Sequence, residues 1–145
     1  MVTIFKHPVH MMLIHFPSAL LPMDVVCYVI YYFTGDTSFA FASFYALAGA
    51  VVTGWLSIIL GTFDLVSIPP GKGEVMKKAL LHGGINITII IIYTVIFYSG
   101  YKRFPPIPAA SMTILITKTF LVTCMVVGNY IGGSLILKHK IGIEE

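Results

Sequence analysis

Four uninterrupted apolar stretches, roughly residues 8–33, 39–66, 75–101 and 109–137, leave this chain very few ways to fold. Each is longer than the roughly 20 residues that cross the hydrocarbon core of a bilayer as a helix. Together they take up nearly all of the 145 residues, of which 57% are hydrophobic and only 10% charged. A soluble domain carries about a quarter of charged residues. Lipid offers no partner for an open backbone N–H or C=O, so a spanning segment must be a helix or part of a closed barrel. Barrel strands alternate apolar and polar residues, and runs such as residues 85–97 do not. The expected fold class is all-α, a single four-helix transmembrane bundle covering residues 1–145.

The connections support this division. Thr34-Gly35-Asp36-Thr37-Ser38, Pro69-Pro70-Gly71-Lys72-Gly73 and Lys102-Arg103-Phe104-Pro105-Pro106 are rich in residues that stop helices. Short loops place successive helices side by side in an antiparallel, up-down order. The first apolar run is too long for the core of a signal peptide and lacks a small-residue cleavage site, so it reads as a retained span. The side of the N-terminus, the second loop and the C-terminus carries Lys6, Lys72, Lys77, Lys78, Lys138 and Lys140, against Lys102 and Arg103 on the other side. An excess of basic residues marks the cytoplasmic face, so both termini are expected there. The pI near 8.9 fits attraction to anionic headgroups, and no basic patch interleaved with aromatics points to nucleic acid.

All five histidines, His7, His10, His15, His82 and His139, fall on that same basic side once the spans are threaded. Ionisable groups in or near hydrocarbon are costly and mark functional sites. His15 lies seven residues into the first span and His82 seven into the third. At 1.5 Å per residue both stand roughly 10 Å deep. Two neutral imidazoles at one level on different helices are what a bis-histidine haem needs, so His15 and His82 are the first choice of axial pair. His10 and His15 differ by about 140° around an ideal helix and do not face one centre. His7 and His10 are expected in the headgroup layer, either solvated or engaged with a second haem, a metal or a propionate. His139, in Lys138-His139-Lys140, suits either an interfacial anchor or a cofactor contact.

Further polar residues surround this layer. Asp64 can accept the second ring N–H of an axial histidine, ligate a metal, or relay a proton with His82. Asn86 lies one turn beyond His82 on the same face and can hydrogen-bond to it. Ala46, Ala50 and Gly54, and Gly128 and Gly132, repeat at four-residue spacing, which suits tight helix packing or the wall of a flat cofactor. Asp24 and Lys118 fall at overlapping depths on the far side and are expected to form a structural ion pair. Cys27 and Cys124 belong to no Cys-x-x-Cys motif, which excludes thioredoxin-like chemistry and covalent haem attachment and leaves two inert thiols. Trp55 is too deep for an interfacial belt and is expected inside the bundle.

The segment from His7 to Leu21, with its His-Pro-x-His-x4-His-Phe-Pro pattern, resembles the opening motif of domain of unknown function 2231, a bacterial four-helix membrane family. Gly61-Thr62-Phe63-Asp64, Ile68-Pro69, the lone His82, Gly132-Gly133-Ser134-Leu135, His139 and Gly142-Ile143 are similar to its later landmarks, so the resemblance covers the whole chain. It implies an inner-membrane protein. Some relatives are fused to Rieske iron-sulfur or cytochrome c-like domains, which implies electron transfer; this chain would then meet a quinone or a separate redox protein.

Three functions are therefore open. The first is a b-type cytochrome holding non-covalent haem b. The second is a bundle that binds or transports a divalent ion such as Zn(II) through His15, His82, Asp64 and His10. The third is a subunit of a larger complex or a homo-oligomer whose histidines bind nothing. No nucleophile elbow or phosphate loop is present, so any enzymatic role would be that of an oxidoreductase.

Overall fold

The computed structural model describes residues 3–4, 7–105 and 107–139, with side chains from 9–105 and 107–138. A two-residue antiparallel ladder, β1 (Thr3–Ile4) with β2 (His7–Pro8), precedes the helices. These are α1 (Val9–Leu13), α2 (His15–Thr34), α3 (Thr37–Val66), α4 (Gly73–Tyr101) and α5 (Met112–His139). Four spans are long and apolar enough to cross a membrane: Val9–Thr34, Thr37–Val66, Gly73–Tyr101 and Met112–Lys138. The molecule is an all-α helical bundle.

The first span is interrupted at Ile14 for a local reason. Pro17 has no N–H, so the carbonyl of Leu13, four residues back, loses its helical donor. The flanking bonds persist, with the Ile14 N–H donating to His10 O at 3.1 Å and the Ser18 N–H to Ile14 O at 3.2 Å. The helix therefore bends without ending. Its true end comes at Gly35, whose φ of 71° lets its N–H close onto Tyr31 O at 2.9 Å. Asp36 then caps α3 by accepting from the Ser38 N–H at 2.9 Å. That bond holds its carboxyl below the usual range. Contacts run in opposite senses along α3 and the first span: His10 meets Gly61, Leu20 meets Gly49 and Asp24 meets Ser43.

Apolar residues cover the outside as well as the inside. Val52, Val95, Phe120 and Val126 are exposed, as a lipid-facing surface requires. Leu21, Leu47, Ala50, Ile89, Tyr93, Leu121 and Met125 form the inner core. Trp55 does not enter that core. Its ring is partly exposed, and its indole N–H donates to Thr94 Oγ1 on α4 at 3.1 Å. Gly54, its neighbour, takes the inward position against Ile90, and that tight packing displaces the larger ring to the outside.

At the end away from the histidines, Asp24 and Lys118 are paired as expected. Lys118 Nζ donates to Asp24 Oδ1 at 2.7 Å and to Ser43 Oγ at 3.3 Å, while Ser43 Oγ also donates to Asp24. Tyr93 donates to the Lys118 carbonyl at 2.9 Å, and the Lys118 ammonium sits 4.3 Å from the Tyr28 ring centroid. This cluster ties α2, α3, α4 and α5 together. Cys27 is buried close to it, and both cysteines are free.

Removing one partner of a buried ion pair strands the other charge, at a cost of about 3–5 kcal/mol. Asp24→Ala and Lys118→Ala should each lower the midpoint of detergent-induced unfolding by that equivalent. The double variant Asp24→Leu with Lys118→Met should recover most of the loss; a double variant no better than either single would refute this account.

Candidate functional site

At the opposite end the helices separate around an internal cavity of about 680 Å³. Cofactor and ligand sites typically occupy roughly 300–1,000 Å³. The cavity adjoins the core through Leu21, Ile89, Ile90 and Met125, and reaches the loop between α3 and α4 at Pro69 and Lys72. His10, His15, Asp64, His82 and Asn86 all line it, so five of the residues singled out in the sequence meet in one place. The side chains of His7 and His139 lie outside the described set.

His82 is held from behind. Its Nδ1 lies 2.8 Å from the Gly128 carbonyl oxygen, which can only accept, so Nδ1 carries the hydrogen and donates. Asn86, one turn on, donates from Nδ2 to the His82 carbonyl at 2.9 Å and packs 3.2 Å from the ring. In its neutral form such a ring keeps a lone pair on Nε2. Gly132 makes room for it, because a Cβ there would stand 2.6 Å from His82 Cε1. Gly128 likewise accommodates Asn86 and Ile85. Part of the small-residue face on α5 thus serves to seat His82 and its partner.

His10 is seated similarly on α3. A Cβ on Gly61 would stand 2.9 Å from its Cε1, and the Ser57 main chain is its hydrogen-bonding neighbour. Its Nδ1 is buried without a partner. The Asp64 carboxylate is near enough to act on His10 through its charge, and Asp64 Oδ1 is also buried without a partner. The bend at Ile14 separates the first two histidines of the cavity. His10 is turned against α3, whereas His15 is exposed at the cavity edge, its Nδ1 3.4 Å from Met12 O. Of these two, His10 rather than His15 has the inward seat.

Sequence reasoning gave no role to Ser57, Lys72, or the pair Ser18 and Asn129. Asn129 Nδ2 donates to Ser18 Oγ across the cavity edge at 3.1 Å. A polar amide inside an apolar run was a readable signal for Asn129; Ser57 is not legible this way, because its contribution comes from the main chain. Gly83 and Gly133 line the cavity, and a Cβ at either would meet nothing within 4 Å. Among the described residues, no three His, Cys, Asp or Glu side chains come together as a ligand set for a metal ion.

These features define a multi-pass membrane protein with a histidine-lined cavity between its helices. The chain belongs to the family described as Predicted membrane protein (DUF2231), whose model matches residues 6–145. Neither the curated proteins nor the solved structures include a match to it.

Gly132 and Gly133 offer an internal control. Gly132→Ala drives a methyl into the His82 ring, an overpacking that costs about 1–3 kcal/mol. Gly133→Ala projects into open space and should leave stability nearly unchanged. Thermal unfolding of both variants in one detergent checks the ordering.

Proposed function

We propose that the protein is a membrane-embedded electron carrier and that His82 and His10 would hold haem b in this cavity. One observation carries the reading: two imidazoles from different helices line one cavity, each with one ring nitrogen uncommitted. Metal-binding histidines characteristically donate their other N–H to a backbone carbonyl or carboxylate, which fixes the ring and raises its basicity. The bond from His82 to Gly128 O has that form. The Ser57 main chain stands in the same relation to His10.

The donor set distinguishes haem from a bare ion. A porphyrin brings four nitrogens and asks the protein for two, whereas Zn(II) asks for three or four protein ligands. Among the described residues no three such ligands assemble, which supports haem over the divalent-metal alternative. The open volume beside Gly83 and Gly133 suits a flat macrocycle. Lys72 at the loop end and His15 at the edge line the same cavity and would be candidates to meet its carboxylates.

When bound, haem b supplies one-electron exchange, and the chain's own residues hold it, keep bulk water out and set its surroundings. Asp64 places a carboxylate near His10 on the cavity wall. The lysine bias supports reading this end of the bundle as the cytoplasmic one, in a bacterial inner membrane. Electrons would pass to or from a quinone or a redox protein.

Protein purified in mild detergent from haem-supplemented cells should show a Soret band that sharpens, with split α and β bands, on adding dithionite. His82→Ala and His10→Ala should each abolish the low-spin spectrum, whereas His15→Ala should retain it. A colourless wild-type protein would overturn the reading, and elemental analysis of that sample would then separate bound metal from a purely structural subunit.

A further inference from the structure

The helices do not close the cavity evenly. α2 and α5 pack on each other less extensively than the sequential pairs α2–α3, α3–α4 and α4–α5 do. Along that seam the cavity is lined by His15 and Ser18 from α2 and by Asn129 and Gly133 from α5. His15 lines the cavity and is nevertheless exposed, and a Cβ on Gly133 would find open space. The interior thus communicates with the outside of the bundle at a level within the spans Val9–Thr34 and Met112–Lys138. With these helices spanning a bilayer, what lies outside at that level would be acyl chain. A molecule entering here must be soluble in lipid.

The chemistry of the seam narrows the class. Asn129 Nδ2 donates to Ser18 Oγ, which uses one amide hydrogen and one hydroxyl lone pair. The amide oxygen of Asn129 and the hydroxyl hydrogen of Ser18 engage no other group among the described residues, so the seam offers one acceptor and one donor side by side. His15 adds a second ring nitrogen at the same edge. Neither a lysine nor an arginine lines the seam; Lys72 belongs to the loop end of the cavity. A phospholipid phosphate would find no counter-charge, whereas a neutral ring with oxygen substituents finds both a donor and an acceptor.

We infer that the α2–α5 seam binds the ring of a membrane-dissolved quinone, with its apolar tail leaving between the helices into the bilayer. The oxidised ring accepts from the Ser18 hydroxyl, and the reduced ring donates to Asn129 Oδ1. This names the partner within the electron-carrier reading, and it rests on that reading only for its purpose, because the seam's own groups bind the ring.

The test is photolabelling of the full chain in lipid nanodiscs with a short-tailed azidobenzoquinone, read by peptide mass spectrometry and competed with unlabelled decylbenzoquinone. Label is expected on the 15–18 and 129–133 segments. Gly133→Leu, which fills open space, should remove it. Asn129→Leu should weaken competition about tenfold, the equivalent of one lost hydrogen bond. His82→Ala should lose haem and keep the label, so failure of the haem reading and failure of this one give different results. Label spread over outward residues such as Val52 and Val95, label indifferent to Gly133→Leu, or label displaced by anionic phospholipid and not by quinone would each overturn the proposal.

Discussion

An ammonium and a carboxylate with no water to face hold the four spans in one arrangement. Lys118 and Asp24 would each be costly alone in hydrocarbon, and only when α5 lies against α2 do both find a partner. Ser43 and Tyr93 complete the cluster by bonding to the carboxylate and to the lysine's own carbonyl, which brings in α3 and α4. Apolar packing in lipid distinguishes poorly between one helix rotation and another, since acyl chains are as apolar as leucine. The ion pair supplies the missing discrimination. With the rotations set at that end, His82 faces inward at the other, and Gly128 and Gly132 fall behind it.

The bundle is thus divided by length. One end is tied by charge, the middle is filled by Leu21, Leu47, Ile89, Leu121 and Met125, and the histidine end is open. Glycine is used differently in each part. Gly54 brings α3 against Ile90 below the cavity, Gly61 and Gly132 make room for imidazoles, and Gly83 and Gly133 leave volume empty. A cavity among helices is expensive unless something fills it, because its lining forgoes contacts. Two buried polar atoms without partners, His10 Nδ1 and Asp64 Oδ1, add to that cost.

Much of this was legible in the sequence. Hydrophobic run length alone gives the four spans, and shared depth brings His82 and the early histidines to one layer and Asp24 to Lys118. Rotation was harder to read. An ideal helix separates His10 from His15 by about 140° but does not say which of them faces in. Pro17 acts one turn upstream, at Leu13, and the resulting bend falls between the two histidines. Trp55 was misplaced for a related reason: depth along a helix is readable from position, whereas the face it presents depends on neighbours such as Gly54, whose close contact with Ile90 appears only in three dimensions. Ser57 and Gly128 act through carbonyl groups, and main-chain chemistry leaves no trace in residue identity.

The apolar layer between the two polar ends also has an electrical meaning. Moving a unit charge through a whole membrane against 100 mV costs roughly 2.3 kcal/mol. The cavity opens on the histidine side of Leu21, Ile89 and Met125, and the Asp24–Lys118 pair beyond them is neutral as a unit. A charge delivered from the histidine side therefore crosses only a fraction of the field, while the dense core below it bears the rest. If the cavity carries electrons as proposed, exchange there with a partner on the same side would be nearly insensitive to the membrane potential, passing charge along the membrane and not across it.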